Sequence, residues 1–264
     1  MFNNTNNNDI ENSKFKFRRE YISKEKDKIA SNTFDKETMI TLSKFFNKYI
    51  IKKINYIIAK GKEADIYLAE PGDAEIVNNE RAVILKLFRI ETSSFFNMRK
   101  YIAGDPRFNK ISKTKYSLVN EWCKKEFGNL QIAIKAGIQA PKPFMFKNNI
   151  LAMSIIMNKD KPAPQLHNVI LKDPEKVFDK ILTNVKTLYK NKLVHADLSE
   201  YNILIADNEV PYIIDFGQAV DLRHPNALIF LKRDILNISS YFLKQYNITM
   251  NIAEIINKIL KTNN

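Results

Sequence analysis

Two short segments carry side chains that could do chemistry together. The first runs Leu193-Val194-His195-Ala196-Asp197-Leu198-Ser199-Glu200-Tyr201-Asn202 and the second Tyr212-Ile213-Ile214-Asp215-Phe216-Gly217. In order they supply a carboxylate, a carboxamide five residues on, and a second carboxylate beside a glycine after an apolar run. Carboxylate and amide oxygens suit a hard cation such as magnesium. Transfer of a phosphoryl group asks little covalent help of a protein. It needs in-line geometry and cations over the developing charge. Asp197 could accept a hydroxyl proton or orient the acceptor, while Asn202 and Asp215 hold the metal. One Asp in a turn is ordinarily a cap or turn former. The ordered set, with the strand-like runs Ile203-Leu204-Ile205 and Tyr212-Ile213-Ile214 between its members, is far more specific.

Such groups need elements to hold them, and protein kinases use this order of residues. Their further requirement is a lysine that reaches the α/β-phosphates and pairs with a glutamate on the next helix. The apolar run Ala82-Val83-Ile84-Leu85-Lys86-Leu87-Phe88 carries one lysine, costly to bury unless paired. Residues Leu118 to Ala136 read as a helix with Cys123, Phe127, Leu130 and Ile134 at helical spacing. Glu126 flanks that stripe; Glu121, the competing candidate, lies off it. A loop over the phosphates should precede Lys86, and Ile57-Ile58-Ala59-Lys60-Gly61-Lys62-Glu63-Ala64-Asp65-Ile66-Tyr67 sits between two strand-like runs. It holds one glycine where the usual kinase loop has three, and Lys60 and Lys62 could supply positive charge instead.

With these residues in view, the chain resembles the RIO family of atypical protein kinases, most closely its type-1 subfamily. The likeness rests on Gly61 to Tyr67, Lys86, Tyr101-Ile-Ala-Gly104-Asp105-Pro106-Arg107-Phe108, Glu121-Trp122-Cys-Lys-Lys125-Glu126, His195 to Asn202, Ile214-Asp215-Phe-Gly217-Gln218-Ala219 and His224 to Asp234, and runs from about Phe34 to Tyr241. Ala59 and Lys60 stand where the family usually has Ser-Thr, so a hydroxyl that could touch a phosphate is missing. The resemblance implies ATP with Mg2+ (or Mn2+) as cofactors. It implies Asp197 and Asp215 as catalytic residues, Asn202 and Asp215 as metal ligands, and Gly61, Lys62, Lys86, Glu126, Met153, Ser154 and Ile156 as the nucleotide site. Met153 would lie beside the adenine, with Ser154 and Ile156 as backbone contacts. It further implies a serine kinase or ATPase acting in maturation of the small ribosomal subunit, with precursor rRNA as a partner, and with Asp215 able to accept a phosphoryl group.

Two other readings compete. Small-molecule phosphotransferases of the aminoglycoside or choline kinase type share the His-x-Asp…Asn…Asp order. Against them stand the Ser199-Glu200-Tyr201 variant and a basic surface. A ribosome-assembly scaffold that binds ATP without turnover is disfavoured by the intact Asp197.

The expected fold is α+β and bilobal, like a protein kinase: an antiparallel-sheet N-lobe with one key helix, then a reduced, mainly helical C-lobe. Only 47 residues follow Gly217, and no Ala-Pro-Glu-like segment is among them. An activation loop and peptide-binding helices are therefore not expected. The plan has a disordered, charged segment 1–33 and an N-terminal lobe 34–153 that includes a basic flexible loop 90–117. A catalytic lobe 154–264 completes it. Asp35 should cap a helix with Met39, Leu42, Phe46 and Tyr49 on one face. Another helix should run from Pro174 to Lys190, and two more should start near Pro225 and Asn251.

With 264 residues the chain can bury a sizeable core. Its one cysteine, Cys123, excludes a disulfide framework. The longest apolar stretch, Ile150 to Met157, is too short to span a membrane, and the N-terminus lacks a signal peptide's apolar segment. A cytoplasmic monomer is the expectation. Net charge is +13 and the pI about 9.5, the footprint of a protein that meets nucleic acid. Arg99, Lys100, Arg107, Lys110, Lys113 and Lys115 lie among Tyr101, Phe108 and Tyr116, a mixture suited to phosphate contact and base stacking.

Overall fold

A computed structural model describes residues 34–90, 95–108 and 114–261 of the chain. Segment 1–33, Lys110 and Lys113 lie outside the described residues. The first helix, α1 (Lys36–Asn47), is capped by Asp35, whose carboxylate accepts from the Thr38 N–H at 2.7 Å. Its buried face is Thr38, Thr41, Leu42, Phe45 and Phe46. Tyr49, expected on that face, lies past the helix end in a left-handed turn, and Phe45 fills the place instead.

Five antiparallel strands follow: β1 (Ile51–Lys60), β2 (Ala64–Pro71), β3 (Val83–Phe88), β4 (Pro143–Lys147) and β5 (Ile150–Ser154), in the order β1-β2-β3-β5-β4. Strand β3 is central and buried along its whole length. Side chains alternate across a strand. Val83, Leu85 and Leu87 therefore join α1 in one apolar cluster. Ile84, Lys86 and Phe88 take the other face, turned toward the rest of the molecule.

Between β3 and β4 lie α2 (Phe95–Ile102) and α3 (Lys115–Lys135). The described part of the expected flexible loop 90–117 thus contains a helix and the first turn of another. Met98, Tyr101 and Ile102 bury their side chains in the main core, and that burial orders the segment. Tyr101 packs against Trp122 and Phe230 with ring centres 6.2 and 5.2 Å away, so it is no exposed stacking platform. Phe108 also packs against this core.

Helix α3 buries a wider arc than the sequence stripe suggests. Leu118, Val119, Trp122, Cys123, Glu126, Leu130 and Ala133 are buried, with Lys125 and Asn129 among them. Ile134 is exposed instead, and Phe127 lies at the margin against Phe146. The arc widens because α3 packs against the sheet on one flank and the Asp215 segment on the other.

The second half opens with two short strands, β6 (Met157–Asn158) and β7 (Lys161–Pro162), and the amphipathic helix α4 (Pro174–Lys190), capped by Asp173 with proline at its first position. Then come β8 (Leu193–Val194), β9 (Ile203–Ala206), β10 (Val210–Ile213) and β11 (Val220–Asp221). Two helices end the described chain, α5 (Ala227–Tyr246) and α6 (Ile252–Leu260). Phe178 of α4 meets Phe242 of α5 with ring centres 4.7 Å apart in the core. Among the described residues no helix is long and apolar enough to cross a membrane.

Candidate active site

Two small hairpins assemble the site. Strands β9 and β10 pair in register from Val210↔Ala206 to Ile213↔Ile203. The next residues outward are Asn202 and Ile214, and the Ile214 N–H donates to the Asn202 carbonyl at 2.9 Å. The register therefore brings Asn202 to the residue before Asp215. Strands β8 and β11 pair Val194 with Val220 and Leu193 with Asp221. That second ladder draws residues 195–197 toward residues 217–219.

The segment from Ala196 to Leu198 is held by α5. Ala196 sits at φ +65°, a left-handed conformation that costs a non-glycine residue free energy. Its N–H and that of Leu198 donate to the two carboxylate oxygens of Asp234 in α5, at 2.7 and 2.9 Å. Arg233 donates to the Ala196 carbonyl. Burial pushes the Asp234 carboxyl up to about 7, against the lowering pull of those two N–H groups. The buried His195 ring donates from Nε2 to the Ile214 carbonyl at 3.0 Å, tying the two segments together. Burial lowers its pKa to about 4, so the ring is neutral at pH 7.

Asn202 donates to the Asp197 carbonyl at 2.8 Å and to its Oδ2 at 3.3 Å. Gln218 donates to the same Oδ2 at 2.9 Å. Burial and the nearby Asp215 raise the Asp197 carboxyl to about 6, against Arg233 and the Asn202 bond. Asp197 is thus a stronger base than an ordinary aspartate while staying ionised at pH 7.

Across the cleft, Lys86 Nζ lies 2.8 Å from both oxygens of Glu126 and 3.0 Å from Asp215 Oδ1. Burial works against the lysine's charge, but Asp215 and Glu126 outweigh it and hold its pKa above the ordinary lysine value. Burial raises the Glu126 carboxyl, and the two Lys86 bonds oppose that rise. Burial would also raise Asp215, but Lys86 prevails and keeps it ionised. The Asp215 side chain is 45% exposed despite this close company, and so is open to solvent. Its φ is +62°, a second strained position in the site.

The three groups Lys86, Glu126 and Asp215 meet, and so do Asp197 and Asn202. Glu126, not Glu121, is the partner of Lys86. Lys62 is exposed in the β1–β2 turn. Gly61 in that turn donates to the Ala64 carbonyl at 2.9 Å, and a Cβ there would lie 2.8 Å from the same oxygen, so the tight turn requires glycine. Met153 is half-buried at the end of β5. The Ser154 N–H donates to the Lys142 carbonyl at 2.9 Å, and the Ile156 carbonyl accepts from the Ala163 N–H at 2.9 Å. Asn202 and Asp215 offer hard oxygen donors that fit magnesium. Among the described residues no cluster of three or more His, Cys, Asp or Glu forms a metal cage.

Sequence reasoning assigned no role to several residues that shape the site: Gln218, Lys125, Asn129, Arg233 and Asp234. Lys125 is wholly buried and donates to the Gly217 carbonyl at 2.8 Å and to the Ala219 carbonyl. Burial lowers its pKa to about 7, against the pull of Asp105. Asn129 donates to the Phe216 and Ala219 carbonyls at 2.8 and 2.9 Å. One signal was present: Trp122, Lys125, Glu126 and Asn129 lie three and four residues apart, on one helical face.

The description "RIO domain" belongs to the family model that matches residues 65–255. The RIO-type serine/threonine-protein kinase Rio1 of Haloferax volcanii is 37% identical over 218 residues, covering 83% of this chain and 73% of that protein. The Rio1 kinase of Methanocaldococcus jannaschii is 40% identical over 220 residues, with 83% and 72% covered. That of Thermoplasma acidophilum is 44% identical over 168 residues, with 64% and 88% covered. Among solved structures, the Rio2 kinase–ADP/Mg2+–phosphoaspartate complex from Chaetomium thermophilum matches with a TM-score of 0.67 at 23% identity, over 85% of this chain and 66% of that one. A second Rio2 kinase structure from the same organism gives 0.69 at 24% identity, over 87% and 69%. These structural matches show a shared fold.

Proposed function

Because the chain belongs to the RIO family of serine/threonine-protein kinases, in its type-1 branch, we propose that it binds magnesium–ATP between its lobes, transfers the γ-phosphoryl group, and serves maturation of the small ribosomal subunit. The observation that carries the catalytic part is one convergence: the Lys86–Glu126–Asp215 ion-pair cluster facing the Asp197–Asn202 pair.

Each residue then has a task. Lys86, steadied by Glu126, meets the α/β-phosphates. Gly61 and Lys62 cover the phosphates from the β1–β2 turn. Met153 lies beside the adenine, whose edge reads the Ser154 carbonyl and the Ile156 N–H. The Ser154 N–H and the Ile156 carbonyl, engaged with Lys142 and Ala163, are spoken for. Magnesium, or manganese in its place, would be held by oxygens of Asn202 and Asp215 and would neutralise charge on the transferring group. Asp197 accepts the proton of the attacking hydroxyl.

Asp215 also suits a transient acceptor. A bond from its carboxylate oxygen to the γ-phosphorus forms as the bond to ADP breaks. Water then takes the phosphoryl group and gives its proton to Asp197. The solved Chaetomium thermophilum Rio2 complex is described as a phosphoaspartate, which supports this reading. The ribosomal part rests on the family and on the net charge of +13.

The test is incubation with γ-labelled ATP and magnesium. The expected result is a label on Asp215 that hydroxylamine removes. Label that resists hydroxylamine, or no label on Asp215, would count against the acyl phosphate. Co-sedimentation with small ribosomal subunits, across a salt series, tests the partner. Binding that weakens steeply with salt is expected, and no co-sedimentation at low salt would refute it.

A further inference from the structure

Lys125 stands next to Glu126 in sequence but does different work. Glu126 faces Lys86 and the nucleotide side of the cleft. Lys125 turns to the segment after Asp215, where it bridges the carbonyls of Gly217 and Ala219. Between those carbonyls lies Gln218, whose amide reaches Asp197 Oδ2 at 2.9 Å. Asn129, one turn along the helix, holds the carbonyls of Phe216 and Ala219. Behind Asn129, Arg107 donates to its side-chain oxygen at 2.7 Å and grips the buried Asp105 at 2.6 Å. Four hydrogen bonds from two helical side chains thus pin three backbone carbonyls, those of Phe216, Gly217 and Ala219. Trp122 closes the helix onto the same stretch: a Cβ on Gly217 would lie 2.8 Å from its indole nitrogen.

We propose that Lys125 is a positioning residue for phosphoryl transfer: by bridging the Gly217 and Ala219 carbonyls it sets Gln218 against Asp197, so the helix that carries Glu126 also fixes the acceptor-side carboxylate. This rests on the kinase reading above. Its consequence is a chain of contact from the nucleotide side to the acceptor side that needs no separate activation segment. Asp197 then has two donors on one oxygen, Asn202 and Gln218, leaving the carboxylate only one way to face an incoming hydroxyl.

The effect belongs to the chemical step and not to ATP binding. It is measured by steady-state turnover and by the ATP KM, in wild type, Lys125→Met, Gln218→Leu and the double variant. Misplacing a reacting group by about 1 Å costs on the order of 100-fold in rate, so each single variant should lose about that much in kcat. The ATP KM should stay within about threefold, because ground-state binding is untouched. The double variant should be no worse than the poorer single variant by more than about threefold, since both substitutions break one relay. Should Lys125→Met not fold, Lys125→Gln, whose amide nitrogen stops one bond short of the lysine ammonium and so cannot keep both carbonyl bonds, is held to the same limits. Unchanged kcat, a KM that rises as much as kcat falls, or multiplying losses in the double variant would each overturn the proposal. A wild-type protein without turnover would sink the kinase reading and this inference with it; an active wild type with an indifferent Lys125 sinks this inference alone.

Discussion

Lys86 is buried against Glu126 and reaches the more open Asp215, and its worth lies in what its removal would strand. In Lys86→Met, Glu126 becomes a buried acid without a partner. Breaking a buried pair from one side costs roughly 3–5 kcal/mol. Glu126 can escape by taking a proton, because burial already raises its carboxyl in the folded protein. A folded-state pKa above the unfolded value gives stability that is present at low pH and lost as pH rises through the folded value. The stability deficit of Lys86→Met should therefore be larger at pH 8 than at pH 6. Urea unfolding at the two pH values measures it, and equal deficits would contradict the account. The sequence made Lys86 legible because a charge in the middle of an apolar strand must be paired. Gln218 was not legible: a polar residue after a glycine looks like any turn residue until the β8–β11 ladder is known.

Elements translate spacing into distance, and α3 is the one on which the site depends. Gly217 lies against Trp122 so closely that a methyl group has no room. Gly217→Ala should push the Asp215 segment off the helix and lower turnover more than it lowers global stability. Turnover and thermal unfolding of the same preparation decide it; full activity with a lowered Tm would be the contrary outcome. The stretch after α2 gives a second prediction. Burial would raise Asp105, but its bonds to Arg107 outweigh that and hold its pKa below the usual carboxylate value. Its contribution is therefore complete above the unfolded carboxyl value of about 4 and fades as acid protonates it. Hydrogen exchange around residues 103–108 should quicken below about pH 4, before the β3 core opens. Simultaneous opening of both would refute it. The helix α4 was readable to its ends, since Asp173, Pro174 and a strict apolar period all agree. The region 90–117 was not, because its basic surface residues mask a buried side formed by Met98, Tyr101 and Ile102 that only the packing partners Trp122 and Phe230 explain.

At the scale of the molecule, the sheet and α1 keep one apolar cluster, and α2 to α6 share a second that reaches across β3 and β5. The cleft lies where these meet, with Lys86 from the sheet and Asp215 from the second half 3.0 Å apart. A ligand spanning that junction should stabilise the whole chain. Magnesium–ATP at a hundred times its Kd is expected to add about 2.7 kcal/mol to unfolding. Chelating the metal should remove most of that gain, and Asp215→Asn should abolish it. A gain that survives both would place the nucleotide elsewhere. The bilobal plan was legible because the paired motifs fix what lies on each side of the cleft. The joining network of Lys125, Asn129 and Arg107 was not, since Lys125 and Asn129 are far in sequence from the carbonyls they hold, and Arg107 from the Asn129 amide that it braces.

The most direct test sets turnover beside binding in Asp197→Ala. The protein should hydrolyse or transfer the γ-phosphoryl group of ATP only with a divalent cation. Asp197→Ala should lose on the order of 100-fold or more of that rate while binding a fluorescent ATP analogue within about threefold of wild type. Turnover unchanged by Asp197→Ala would contradict the catalytic assignment.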